Sequence, residues 1–318
     1  MNPPVARPAT ACPAPSPTDA RGSGDRLRVG VFGLGELGLP VAAAIARSGH
    51  DVLAHDPAAE RRALAVTHGL AVAGPGSLVA HAQVAVTLLP DERSLEALAQ
   101  APDGLLAGLA PGAVHLCMGT IGVELAAMLA VRHAGAGQHF VAGPVFGRPQ
   151  EAWAADLTAV PGPAPGCDEA TFARAIAVLA CVAPRIHPVG SPQSACAVKL
   201  AGNLMIASAI ATMTEAFGLA HAYGTPPALV HEVVTGRLFG GPVHEGVGRA
   251  LAASMAGAPP AAPAFTIRLG LKDLGLAAHA AAQSGWPMPV AEAVTARLAR
   301  AVQRGHAGRD WAELPACL

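Results

Sequence analysis

The chain predicts an α/β fold: a doubly wound, mostly parallel sheet followed by an all-helical region. Three observations carry this expectation. Residues 26–57 read as strand, glycine turn, alanine-rich helix and second strand. Strand-like and helix-like stretches keep alternating to about residue 190, as a parallel sheet with crossover helices requires. Beyond Gly190, mostly apolar and small residues run to about Tyr223, and helix-start signals punctuate the remainder.

The first unit is written RLRVGVFGLGELGLPVAAAIARSGHDVLAHDP. Gly33, Gly35 and Gly38 occupy a GxGxxG frame. The first glycine permits a tight turn, the second lets a pyrophosphate approach the backbone, and the third lets helix pack on strand. The phosphate then meets the amino end of a helix. With the strand before it and the helix after it, the loop Gly33, Leu34, Gly35, Glu36, Leu37, Gly38 reads as the phosphate cradle of a Rossmann unit. Asp56 closes the second strand, where a carboxylate grips the adenosine ribose and repels a 2′-phosphate. NAD is therefore favoured over NADP, although Arg61 and Arg62, one turn further on, offset part of that repulsion.

Further strands are expected at 83–89, 113–118, 139–146, 157–160 and 185–189, with helices at 92–100 and 121–134. Ligands of such sheets bind beyond the carboxyl ends of the strands. Leu89, Pro90, Thr120 and the segment 143–148 all fall at those ends.

Ser191-Pro192 pairs a capping side chain with proline at the first helical position. It opens a helix of roughly 30 residues, about 45 Å long at the usual rise. Thr225-Pro226-Pro227 opens another, and more are expected near 243–255, 266–284 and 289–304. The organisation is thus a disordered tail over 1–25, a dinucleotide-binding domain over 26–190 and a helical domain over 191–318.

Lysine occurs only at Lys199 and Lys272, although the chain carries 21 lysines and arginines together. Arginine cannot release its proton near neutral pH, whereas a desolvated ammonium can, so a site that donates and recovers a proton rejects the exchange. On the long helix Lys199 and Asn203 are four residues apart and share a face. A proton donor and a neutral amide can thereby address one substrate oxygen.

Composition narrows the remaining classes. A formal net charge of −1 offers no basic field for nucleic acid. The six cysteines show no metal-ligand or disulfide spacing, and no histidine pair falls in an HxxxH or HExxH frame. No metal is expected. The first 25 residues lack the apolar core of a secretory signal, and the apolar stretches are interrupted by Gly, His, Glu or Lys. A cytoplasmic protein without a membrane partner is expected.

The motifs in order, GLGELG, LLPDERSL, MGTIG, GPVFG, VKLAGN and FTIRLGLKDLGLA, resemble those of the β-hydroxyacid dehydrogenases, the group of 3-hydroxyisobutyrate dehydrogenase, from about residue 27 to 305. The resemblance implies a Rossmann domain, a helical domain like that of 6-phosphogluconate dehydrogenase, and an active site between them. It implies a small-molecule substrate and homodimers or homotetramers built through the helical parts. It makes Lys199 the general acid/base and Asn203 its substrate-orienting neighbour. Phe265 and Lys272 close over the cofactor and the cleft, with Asp273 as support, and Thr120 faces both cofactor and substrate. Phe146, Gly147 and Arg148 stand where the family's substrate loop commonly reads Ser-Gly-Gly. Phe146 removes a donor and adds bulk; Arg148 either holds a carboxylate through its guanidinium or faces solvent before Pro149. The usual serine before the strand-end threonine is Gly119. The implied activity is hydride transfer between a nicotinamide and a hydroxyacid or its aldehyde or keto acid. Two alternatives stay open: an imine reductase of the same architecture, whose members generally lack the lysine, and a nucleotide-binding relative without turnover.

Overall fold

The computed structural model describes residues 26–260 and 262–317. The expected tail over 1–25 lies outside the described residues. Two compact units emerge, one comprising the described residues up to Gly119 together with Ala126–Ala195, the other Thr120–Leu125 and Cys196–Leu318. The division thus falls after Ala195, and a six-residue segment following the fifth strand belongs with the second unit.

The first unit runs β1 (Arg28–Phe32), α1 (Gly38–Arg47), β2 (Asp51–His55), α2 (Ala59–Thr67), β3 (Ala71–Val72), α3 (Pro75–His81), β4 (Val84–Thr87), α4 (Glu92–Gln100), α5 (Leu105–Gly108) and β5 (Val114–Cys117). It continues through α6 (Val123–Gly135), whose first residues fall in the other unit, β6 (His139–Ala142), β7 (Val145–Phe146), α7 (Pro149–Trp153), β8 (Thr158–Ala159), β9 (Gly162–Pro163), α8 (Glu169–Ala180) and β10 (Arg185–Ile186). The main sheet has the order β3-β2-β1-β4-β5-β6-β9. Its pairs are parallel except β6 with β9. The order reverses at β1, so β1 and β4 diverge in the sense of their connections, and a crevice opens beyond their carboxyl ends.

Apolar runs explain the central strands. β4 and β5 are buried along their whole length, as in a sheet covered on both faces. Their neighbours Val29, Val31, Val141 and the α1 residues Val41 and Ile45 complete one continuous core.

The single strand expected over 139–146 is two strands. After β6 the chain turns at Gly143-Pro144, where a Cβ on Gly143 would stand 2.7 Å from Leu116 Cδ1. Proline cannot donate to a ladder, and β7 leaves for a separate three-stranded sheet with the order β10-β8-β7.

One polar chain crosses the apolar core. Gln138 Nε2 donates to the carbonyls of Leu106 at 3.1 Å and Leu109 at 2.8 Å, which orients its amide. Its Oε1 must therefore accept from His133 Nδ1, at 2.7 Å. His133 Nε2 then accepts from His115 Nδ1 at 2.8 Å, and His115 Nε2 accepts from the hydroxyl of Thr87 at 3.0 Å. Each neutral ring has one donor and one acceptor, so the order of the protons is fixed. Burial pushes the His133 pKa down to about 4 and that of His115 well below its ordinary value, with His133 reinforcing the latter.

The second unit contains α9 (Pro192–Ala222) from Cys196 onward, α10 (Pro227–Arg237), a π-helical turn Val243–Val247 leading into α11 (Gly248–Met255), α12 (Ile267–Ser284), α13 (Pro289–Gln303) and a terminal 3-10 stretch, Trp311–Cys317. Ser191 Oγ accepts from Ser194 N at 3.1 Å, the cap that Ser191-Pro192 foretold. Thr266 Oγ1 caps α12 at Leu269 N. By length and composition α9 is apolar enough to cross a membrane. Its Ala207, Ile210, Met213 and Phe217 instead enter the unit's own core with Leu251, Leu274 and Leu298.

The helix expected near 243–255 opens as a π turn, whose wider winding leaves carbonyls without regular partners. His231 Nε2 faces two of them, those of His244 at 3.0 Å and Glu245 at 3.2 Å.

Candidate functional site

Predicted site residues gather in two places, one in each unit. In the first unit the carboxyl ends of the strands form a single crest. The amide of Gly33 donates to His55 O, Leu88 to Phe32 O, Met118 to Thr87 O and Gly143 to Cys117 O, all at 2.8–3.0 Å. Each strand thus leaves the sheet tied to its neighbour, and the loops that follow stand side by side.

The glycine loop lies on this crest. Gly33 has φ +92°, and a Cβ there would sit 2.4 Å from Leu88 O, so only glycine is tolerated. A Cβ on Gly38 would meet Gly33 O at 1.9 Å, which lets α1 start directly against the turn. Gly35 differs: an added Cβ meets nothing within 4 Å. The loop is open at the position where a pyrophosphate approaches, and no side chain caps the first turn of α1, whose amino end faces it. These residues fit a dinucleotide.

Asp56 is half-buried. Its Oδ2 accepts from Leu34 N at 2.8 Å and its Oδ1 from Ala58 N at 2.9 Å. The carboxylate is thereby held beside the glycine loop, with further lone pairs on each oxygen. Arg62 Nη1 donates to the carbonyls of Asp56 and Pro57 at 2.6 and 2.8 Å. Arg61 Nη2 meets Glu36 Oε1 at 2.7 Å. Leu89 lies half-buried against the loop and Pro90 is exposed. A Cβ on Gly119 would come within 3.2 Å of Leu89 O, tight contact for any side chain and a reason for glycine before Thr120.

Phe146 ends β7, half-buried. Gly147 has φ +143°, and a Cβ there would collide with Leu157 Cδ2 at 2.3 Å. Arg148 precedes α7, and its backbone amide donates to Glu151 Oε2 at 2.6 Å. That amide is occupied by the chain's own carboxylate, while the Arg148 side chain is exposed. Sequence reasoning missed Glu151; the capping spacing of residues 148 and 151 was its available signal.

In the second unit Thr120, Lys199, Asn203, Lys272 and Asp273 form one cluster. Asp273, 2% exposed, is its hub. Its Oδ2 accepts from Asn203 Nδ2 at 2.5 Å, and its Oδ1 pairs with Lys272 Nζ at 3.0 Å. Lys272 Nζ also donates to Thr120 O at 3.0 Å. Two turns along α12, His279 Nε2 meets Glu124 Oε2 at 2.7 Å, so α12 holds the segment Thr120–Leu125 at both ends.

Desolvation lowers the pKa of Lys199 to about 8. Asp273 opposes that shift and Lys272 adds to it. An ammonium near its titration point is chemically able to donate and recover a proton at neutral pH, which an arginine is not. Phe265 directly precedes the Thr266 cap of α12. Its ring packs against Trp311 with centroids 4.4 Å apart, and its amide donates to Asp310 Oδ2 at 3.0 Å. Among the described residues no group of three or more His, Cys, Asp or Glu side chains is arranged to hold a metal ion.

Two family models match the chain in succession. Residues 28–190 match the family model of the NAD binding domain of 6-phosphogluconate dehydrogenase. Residues 194–317 match that of the NAD-binding domain of NADP-dependent 3-hydroxyisobutyrate dehydrogenase. The chain is 33% identical over 295 residues to an uncharacterized oxidoreductase, YfjR, of Bacillus subtilis, covering 92% of this chain and 100% of the relative. It is 30% identical to a probable 3-hydroxyisobutyrate dehydrogenase of Mycobacterium tuberculosis, covering 82% of this chain and 88% of that protein. The solved structure of a Mycobacterium tuberculosis 3-hydroxyisobutyrate dehydrogenase with L-serine superposes with a TM-score of 0.77 at 27% identity, covering 92% of this chain and 98% of the other. With an open glycine loop on a parallel sheet and a titratable lysine on the long helix of a matching second unit, the chain belongs to the β-hydroxyacid dehydrogenase family of nicotinamide-dependent oxidoreductases.

Proposed function

We propose that the protein is an NAD-dependent dehydrogenase that interconverts a hydroxyacid and the corresponding aldehyde or keto acid, with Lys199 as general acid/base. The observation that carries this reading is the buried carboxylate of Asp273 on α12, which binds Asn203 and Lys272 and acts on Lys199 of α9, whose pKa desolvation brings down to about 8. A dinucleotide held by its pyrophosphate at the glycine loop would supply the hydride acceptor or donor through its nicotinamide. Lys199 Nζ takes the hydroxyl proton as the carbon–oxygen bond becomes a carbonyl, and returns a proton to the oxygen in the reverse direction. As an ammonium it stabilises the alkoxide character that develops on that oxygen. Asn203 orients the substrate, and Asp273 holds Asn203 and Lys272 in register.

Asp56 supports NAD over NADP, because it presents a carboxylate where the ribose hydroxyls lie and Arg61 and Arg62 are both engaged elsewhere. Thr120, Phe265 and Lys272 complete the cofactor and substrate surroundings. Phe146, Gly147 and Arg148 form the substrate loop, with the exposed Arg148 guanidinium taking the substrate carboxylate in place of the amide that Glu151 occupies. Assembly into a homodimer or homotetramer through the helical unit is supported by its exposed apolar side chains, among them Leu219, Leu238, Phe239 and Trp286.

The test is a spectrophotometric screen following nicotinamide absorbance with both cofactors across small hydroxyacids, semialdehydes, keto acids and paired imines. Turnover of at least one hydroxy or carbonyl acid, lost in Lys199→Ala, supports the reading. Turnover of imines alone overturns it.

A further inference from the structure

The two arginines that follow β2 are both engaged, in different ways. Arg62 is locked onto main-chain carbonyls. Arg61 is held at 2.7 Å by Glu36, a residue of the glycine loop itself. Two carboxylates, Asp56 and Glu36, thus border the region where the adenosine ribose lies against the loop, and their charge cancels that of the two arginines. The ribose diol of NAD needs only an acceptor there. A 2′-phosphate brings roughly 1.5 to 2 negative charges and needs a guanidinium free to bind it through two parallel hydrogen bonds.

We propose that Glu36 is a cofactor-specificity residue, which discriminates against NADP by withholding Arg61 from a 2′-phosphate. The two side chains lie on one open cleft with Gly35 and Pro40. They are 61% and 35% exposed, so an incoming phosphate reaches the guanidinium once the carboxylate is removed. The pair is also weak enough to exchange, since solvent screens an ion pair at this exposure. The proposal rests on the dinucleotide reading of the loop and on the NAD preference assigned above.

Equilibrium titration of NADH and NADPH fluorescence onto wild type, Glu36→Gln, Arg61→Ala and the double variant tests it without any substrate. Glu36→Gln is expected to improve NADPH binding up to about fivefold relative to NADH, the most that releasing an exposed pair of this kind returns. Arg61→Ala in the Glu36→Gln background is expected to abolish that gain. An equal effect of Glu36→Gln on both cofactors shows a general field at the loop and overturns the proposal. So does a gain that survives in the double variant. Tighter NADPH binding by wild type overturns the NAD preference instead, and the role of Glu36 is then decided by the same comparison between the single and double variants.

Discussion

Asn203 and Asp273, 70 residues apart, are joined by a 2.5 Å hydrogen bond from the side-chain amide to Oδ2. Nδ2 of Asn203 is thereby assigned, and its carbonyl oxygen must face away from the carboxylate. Asp273 is also paired with Lys272 and raises the pKa of Lys199, so one buried negative charge serves both lysines of the chain.

Asp273→Asn is expected to break that arrangement while preserving its shape. The Lys199 pKa loses the influence that raises it, so the pH midpoint of activity moves below about 8. Leaving the Lys272 charge without its partner costs on the order of 3 kcal/mol of stability. Urea denaturation and a pH–rate profile measure the two effects separately. An unchanged midpoint would remove Asp273 from the control of Lys199.

Asp56→Ala is expected to weaken NADH binding about tenfold and narrow the gap to NADPH, since the ribose loses its acceptor and the repulsion of a 2′-phosphate falls. Fluorescence titration checks both cofactors. Because Asp56 Oδ2 also accepts from Leu34 N, the variant is expected to loosen the glycine loop, seen as faster amide exchange there.

Acid should destabilise the first unit through His133. Its folded pKa, about 4, lies below the ordinary 6.5, so the unfolded chain binds a proton that the folded chain refuses. Stability is then full above pH 6.5 and is lost as pH falls toward 4, by roughly 3 kcal/mol from this ring. Thermal unfolding of wild type between pH 7 and 4 should show that slope. His133→Gln should be less stable at pH 7 but lose less on acidification. Equal slopes would contradict neutral burial of the ring.

Local signals were the legible ones. GLGELG, the Ser191-Pro192 cap and the Thr225-Pro226-Pro227 start each depend on a few adjacent residues and foretold β1, α1, α9 and α10. LKDLGLA placed both Lys272 and Asp273 on α12. What depends on distant pairing was not legible. The break at Gly143-Pro144 follows from the approach of Leu116, and β9 is two residues long. The links Glu36 to Arg61 and Thr87 through His115 to His133 join side chains 18 to 28 positions apart. Nothing local marks Thr120–Leu125 as part of the second unit either, since its ties to Lys272 and His279 span some 150 residues.

Lys199 carries the chemical claim, and its protonation state is directly measurable through the pH dependence of turnover. Oxidation of the hydroxyacid needs the neutral amine, so kcat/KM should fall as pH drops through about 8. Reduction needs the ammonium and should fall as pH rises through the same value. Lys199→Ala should lose this dependence and at least about 100-fold in turnover while keeping its affinity for cofactor. A Lys199→Ala enzyme that retains most of its activity with the wild-type pH profile would contradict the account.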